Sequence, residues 1–145
     1  MNTSTSPVAL VESLYAAFGR GDIATILGAL STEVDWRGNV DRNAPGADRV
    51  VMFRPRQGRT AVQQFFVDLG TTVELHAFTP QSFMSNATEV AVHVTLEFTV
   101  RATGRRMAMA AIHHWTFGTQ GKVIRFTDYF DTLGEAAAWD AVQAR

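Results

Sequence analysis

Residues 89–101 read EVAVHVTLEFTVR, and within them Val90, Val92, Val94, Leu96, Phe98 and Val100 take every second position. A period of two marks a strand with one buried face. Working outward, Thr103 and Gly104 make a tight turn into a strand from Arg105 to Phe117, and Thr119, Gln120 and Gly121 turn that into another from Lys122 to Phe130. Upstream, Val73 to Phe83 is rich in β-branched and aromatic residues and also reads as strand. Long consecutive strands joined by short turns predict an antiparallel meander.

The first half of the chain has the other period. Pro7 opens a helical pattern in which Val11, Leu14, Tyr15 and Phe18 form one apolar stripe, stopped by Gly19 and Gly21. Asp22 then caps a short helix carrying Ile23, Ile26, Leu27 and Leu30, before Ser31 and Thr32 break the pattern and Val34 and Trp36 alternate as a short strand. A third helix follows Thr60, with Val62, Phe65, Phe66 and Leu69 on one side and Gly70 at its end. An Ala-rich helix from Glu135 to Val142 is expected to lie against the outside.

Between these, Gly38 to Arg59 loses its period, with room for one extra strand near Val50 to Phe53. A loop of that length is either a lid over a pocket or a tolerated surface insertion. Met1 to Pro7 reads as a frayed start without the apolar segment of a signal peptide. Helices first and strands afterwards predict an α+β fold, with the helices packed on the concave side of an antiparallel sheet. The opposite sheet face is expected to form a homodimer, with Met107, Met109, Trp115 and Phe126 supplying the apolar area.

Composition narrows the function classes. At 145 residues one domain covering 1–145 is expected, and 46% hydrophobic with 19% charged residues is too apolar for disorder. A net charge of -1 gives no electrostatic pull toward nucleic acid or anionic membranes. The absence of cysteine excludes a disulfide framework and any thiolate nucleophile or metal site, and makes the cytoplasm the default location. No run approaches the ~20 apolar residues of a membrane span. Neither a phosphate-binding glycine loop nor a nucleophile elbow is present.

The chemistry-bearing residues are few. His113 and Asp128 fall on adjacent strands and approach each other across the ladder. Three roles are open to them: an acid–base pair in which Asp128 fixes the imidazole tautomer and leaves one ring nitrogen free, a polar anchor that orients a ligand, or a buried pair that satisfies only itself. His114 points the opposite way from His113, so the two cannot share a metal ion. No metal and no cofactor is expected. His76 and His93 are isolated and read as packing or interface residues. Tyr15, Phe18, Trp36, Phe66, Phe98 and Trp115 form the aromatic set expected around a pocket for a small apolar or cyclic ligand, and the same spacing also suits plain core. Arg54 and Arg56 either clamp a carboxylate or phosphate or are solvated loop charges. Glu97, Arg101, Arg105 and Arg106 read as a solvated hairpin tip.

Three segments carry a resemblance: LYAAFGRGD (14–22) followed by EVDW (33–36), GRTAVQQFF (58–66), and IHHWTF (112–117) with GKVIRFTDYFDT (121–132). They are similar to the SnoaL-like and ketosteroid-isomerase-related proteins of the nuclear transport factor 2-like superfamily. The resemblance implies a curved, cone-shaped antiparallel sheet wrapped around the N-terminal helices, a fold shared with cystatin-like proteins, and a small-molecule-binding chain with cofactor-independent isomerase, cyclase, dehydratase or epoxide hydrolase chemistry. A non-catalytic ligand-binding or dimerisation module of the same fold is the other implication. Carried over by position, the isomerase tyrosine falls on Leu14 with Tyr15 one step away, the general-base aspartate near Trp36 and the neutral oxyanion-hole aspartate on His113. Steroid isomerisation by that mechanism therefore lacks its base. For an epoxide hydrolase, Asp128 supplies one carboxylate and no second is found at the matching place.

Overall fold

The computed structural model describes residues 6–140. Helices α1 (Pro7–Gly19) and α2 (Ile23–Gly28) lead into strand β1 (Leu30–Gly38). A 3₁₀ turn (Val51–Phe53) and a two-residue strand β2 (Arg56–Gln57) precede helix α3 (Arg59–Thr72). Strands β3 (Val73–Ser85), β4 (Glu89–Val100), β5 (Arg105–Phe117) and β6 (Val123–Tyr129) follow, and helix α4 (Thr132–Ala138) comes last. Among the described residues, no helix is long and apolar enough to cross a membrane.

Local chemistry sets the boundaries. Ser6 accepts from the Ala9 N–H at 3.1 Å and Pro7 takes the first helical position, so the frayed start expected through Pro7 is corrected at Ser6 and Pro7, while residues 1–5 lie outside the described residues. Asp22 caps α2 by accepting from the Thr25 N–H at 3.1 Å. Gly104 and Gly121 hold φ of 71° and 77° in the two hairpin turns, where a side chain would be strained.

The sheet order is β2-β1-β6-β5-β4-β3. Strands β3 to β6 form the antiparallel meander that the alternation predicts. The expected all-antiparallel sheet is corrected at one place: β1 runs parallel to β6, pairing Trp36 with Phe126 and Gly38 with Asp128, so the curved sheet is mixed. β3 is an edge strand whose bulges at Leu75/Ala77 and Pro80/Ser82 bend it; Pro80 is tolerated there because an edge strand has amides to spare.

Register decides which side chains face the helices. Val92 pairs with His113, Val94 with Ala111, Leu96 with Met109 and Phe98 with Met107, so the odd positions of β5 share the inner face with the even positions of β4. The main core joins that face to Val11, Leu14 and Ala17 of α1, Ile26 of α2 and Val62 of α3. Met107, Met109, Trp115 and Phe126 thus pack inward and are not the apolar area of an outer face, which corrects that expectation. The outer face carries Thr95, Glu97, Ala108, Ala110 and His114 instead, with His114 Nε2 2.6 Å from Glu89 Oε1.

Two further segments differ from expectation. Helix α4 begins at Thr132, capped by Asp131, and buries Glu135, Ala136 and Ala138. It packs on Val50 and Phe53 on one side and on Val73, Phe98 and Val100 on the other, closing one end of the inner face; Val142 lies outside the described residues. The hairpin tip expected to be solvated helps hold it, since Arg105 donates to Ala137 O at 2.7 Å and Thr103 to Ala138 O at 2.7 Å. In the 38–59 loop, Arg56 is 6% exposed and neither clamps a ligand nor lies in solvent. Its guanidinium donates to Asp68 Oδ2 at 2.9 Å and to Val51 O at 2.8 Å, and stands over Phe65, tying the loop to α3.

Candidate active site

A cavity of about 130 Å³ opens between α1, α3 and the inner sheet face. Tyr15, Phe18, Trp36, Phe66, His113, Trp115 and Asp128 all border it, as does Leu14. Of the aromatic set read from the sequence, Phe98 alone is elsewhere: it lies deeper, on a second cavity of about 100 Å³ beside α4. The rings are fixed by one another. Trp36 stacks on Phe126 with centroids 4.0 Å apart and meets Trp115 edge-on at 5.8 Å, while Tyr15 lies flat against His113 at 5.9 Å. Leu14 and Tyr15 both reach the cavity, so the one-residue offset from the isomerase pattern does not turn the phenol away.

The polar groups form a chain. Trp115 Nε1 donates to Tyr15 Oη at 3.1 Å, and Tyr15 Oη lies 2.8 Å from His113 Nδ1. The phenol O–H has no acceptor among the described residues other than this imidazole nitrogen, so it donates to Nδ1 while its oxygen accepts from the indole. His113 therefore accepts at Nδ1 and carries its hydrogen on Nε2, 3.5 Å from Asp128 Oδ1. That distance is longer than a formed hydrogen bond, and Asp128 Oδ1 is fully covered with no hydrogen-bond partner among the described residues. The expected arrangement, with Asp128 fixing the tautomer and one ring nitrogen free, is corrected: Tyr15 fixes it, and both nitrogens face partners.

Burial sets the protonation states. Loss of solvent lowers His113 to about 3 and raises the Tyr15 phenol well above its ordinary value. Asp128 is pushed up to about 8, by burial first and then by the neighbouring Glu135 carboxyl. Its side chain is 31% uncovered, and the residue lines both cavities. At neutral pH the site holds a phenol, an imidazole and a carboxylic acid, all uncharged. Of the three, only Asp128 lies near enough to neutrality to give and take a proton, while the phenol and the imidazole act as hydrogen-bond partners in a medium that amplifies each bond.

Glu135 was not found from the sequence. It is 7% exposed, raised to about 7 mainly by burial with Asp131 adding to it, and borders the second cavity together with Asp128. A charged residue at the start of an Ala-rich segment looks like a solvated helix face; only the docking of α4 buries it. Gly38, opposite Asp128 in the ladder, leaves room for the Phe130 ring on the wall of that cavity, since a Cβ there would lie 2.7 Å from Phe130 Cε1. Among the described residues, no three His, Asp or Glu side chains gather as a metal site.

Residues 11–126 match the SnoaL-like domain family, and the chain belongs to it. A comparison with curated proteins finds no match. Among solved structures, a nuclear transport factor 2-like protein of Burkholderia pseudomallei is 24% identical, with a TM-score of 0.79 over 93% of this chain and 98% of that one. TerC, crystallised with polyporic acid, is 23% identical at a TM-score of 0.73, covering 92% and 97%. A candidate polyketide cyclase of Pseudomonas putida is 18% identical at 0.74, covering 93% and 98%. At these identities the likeness establishes the shared fold.

Proposed function

We propose that this protein binds a small, largely apolar cyclic molecule in the first cavity and acts on it by acid–base chemistry without a cofactor, as an isomerase, cyclase or related enzyme. The observation that carries the reading is the uncharged Tyr15, His113 and Asp128 set opening onto a cavity walled by aromatic rings. Asp128 lends a proton to a carbonyl oxygen of the ligand and recovers one from an adjacent carbon, so that the enzyme ends as it began. The His113 N–H supports the carboxylate formed in between, and Tyr15 holds the imidazole in the tautomer that permits this. The names of two structural neighbours, one a candidate polyketide cyclase and one crystallised with polyporic acid, are in keeping with a ring compound as ligand.

Turnover is tested across a panel of enones, hydroxy-ketones and epoxides, with His113→Ala and Asp128→Asn beside the parent. The expected result is turnover by the parent with a loss of about 100-fold or more in Asp128→Asn, the range of a general acid–base contribution. Equal rates in all three proteins remove the catalytic claim and leave a binding module.

A further inference from the structure

Helix α4 forms part of the wall of the second cavity, to which it contributes Glu135. Its hold on the sheet is light. Ala136 packs against Val50 and Phe53, Ala138 against Val73, Phe98 and Val100, and Trp139 rests partly buried on both groups. Arg105 and Thr103 give one hydrogen bond each to the carbonyls of Ala137 and Ala138. The Arg105–Asp140 ion pair at 2.8 Å is about half exposed on both sides, where such pairs contribute little. Seven residues are too few for a helix to persist once it leaves the surface it packs on. Yet this lightly held helix buries a carboxyl: Glu135 is 7% exposed, and its side chain forms no hydrogen bond or ion pair among the described residues. The Trp139 indole N–H, one turn on, lies near enough to favour the ionised form, but is itself covered and meets no acceptor at hydrogen-bond distance.

The other charged and titratable groups around that carboxyl do not neutralise it. Asp131, which caps α4, and Asp128 of β6 are themselves acids. Arg37 of β1 is held by Asp35 at 2.8 Å, Arg105 of β5 by Ala137 O and Asp140, and Arg54 of the loop borders the cavity without pairing to Glu135. A carboxyl out of water with no cation beside it is stable only as the neutral acid. We infer that α4 is a pH-operated latch on the second cavity, docked while Glu135 keeps its proton and loosened when Glu135 ionises, so that the wall it forms opens as the solution passes from acid to neutral. Docked, Glu135 is raised to about 7, chiefly by burial, while on a released segment it returns to its ordinary 4.5. The preference for the docked helix is therefore complete below 4.5 and falls tenfold per pH unit up to about 7, a loss of about 300-fold, after which it stays level. The latch concerns α4 and the cavity wall alone, and holds whether or not the first cavity turns a ligand over.

Amide hydrogen exchange read by nuclear magnetic resonance, corrected for the intrinsic pH dependence of exchange, tests the latch on the intact chain. The amides of Trp139, bonded to Glu135 O at 3.1 Å, and Asp140, bonded to Ala137 O at 3.0 Å, report on α4. Those of Val92 and Val94 in β4, an inner strand of the sheet, report on the whole fold. Between pH 5 and 7, protection in α4 is expected to fall about 100-fold in the parent and to stay below that of β4 throughout, because the helix leaves without the sheet. Glu135→Gln and Glu135→Leu, neither of which can ionise, should lose most of this fall. Arg105→Gln, at an exposed position, should lower α4 protection about fivefold at every pH, the effect of one hydrogen bond, and keep the slope. Protection in α4 equal to that of β4 at every pH overturns the latch, since the helix then leaves only when the whole fold does. A parent profile that is flat with pH overturns it as well, whether or not the variants fold, and so does an undiminished fall in either Glu135 variant.

Discussion

Replacing Tyr15 by Phe removes one oxygen and leaves two buried nitrogens without partners. Trp115 Nε1 loses its acceptor at 3.1 Å, and His113 Nδ1 loses the donor at 2.8 Å. Each orphaned group costs about 1–2 kcal/mol, so Tyr15→Phe should destabilise the fold by about 3 kcal/mol. For a chain of this length that lowers the melting temperature by about 10 °C. The ring itself is retained, so its contacts with Phe78 and Phe83 persist and packing contributes little to the loss. Thermal unfolding followed by circular dichroism measures the effect. Nitrogen-15 spectra of the histidines supply the second readout: in the parent, His113 should carry its hydrogen on Nε2 and stay neutral well below its ordinary 6.5, whereas in the variant the tautomers should mix. A variant that melts within about 2 °C of the parent, or a parent His113 protonated on Nδ1, would refute the hydrogen-bond chain.

Further outcomes follow from the same geometry. Asp128 keeps its proton when folded up to about 8 and when unfolded only up to 3.8, so its contribution is fully present below 3.8 and is lost as pH rises through 8. Glu135, raised from 4.5 to about 7, acts in the same direction. His113, lowered from 6.5 to about 3, acts oppositely, its contribution being present above 6.5 and lost as pH falls toward 3. Between 6.5 and 8 the carboxyls alone decide, and denaturant titrations should show stability falling by about 1.4 kcal/mol per pH unit, less steeply in Asp128→Asn; identical slopes would count against the buried acid. Arg56→Ala should cost about 3 kcal/mol by stranding Asp68 and the Val51 carbonyl, and Arg56→Met with Asp68→Leu should recover part of it in the same titrations. We propose that two chains pair through the outer sheet face, where Ala108 and Ala110 are exposed and carry small side chains. Sedimentation equilibrium should find a dimer that Ala110→Arg separates, and a monomeric parent at high micromolar concentration would remove the interface.

Much of this architecture is legible in the residues, and the failures have identifiable physical causes. The meander is readable because half-buried strands alternate, and Val90 to Val100 does so without interruption. Alternation states that two faces exist without saying which one meets the helices, and Met107, Met109 and Phe126 were assigned to the wrong side for that reason, while Trp115 was read for both faces and lies on the inner one. The length of β1 was hidden by Ser31, Thr32 and Glu33, which look like a break because that part of the strand is largely uncovered. Its parallel seat beside β6 has no local signal, since a strand does not encode its partner. His113 and Asp128 were found because they are polar residues at inward positions of legible strands. Tyr15 was placed on the cavity wall, while its part in setting the tautomer depends on distances that no spacing reveals. Arg56 and Glu135 were missed as buried groups because only tertiary docking covers them.

The parallel junction of β1 with β6 divides the site by chain order. Tyr15 and Trp36 arrive from the first 40 residues, while His113 and Asp128 sit on a hairpin that closes through a three-residue turn. Short-range closures are fast and distant ones slow, so a hairpin bearing the imidazole and the carboxyl should assemble while still open to water. Until β1 docks, that carboxyl has the acidity of any exposed aspartate, and the last step of folding must therefore take up a proton from a neutral solution. Stopped-flow refolding in a weak buffer with a pH indicator should detect this uptake in the parent and a smaller one in Asp128→Asn.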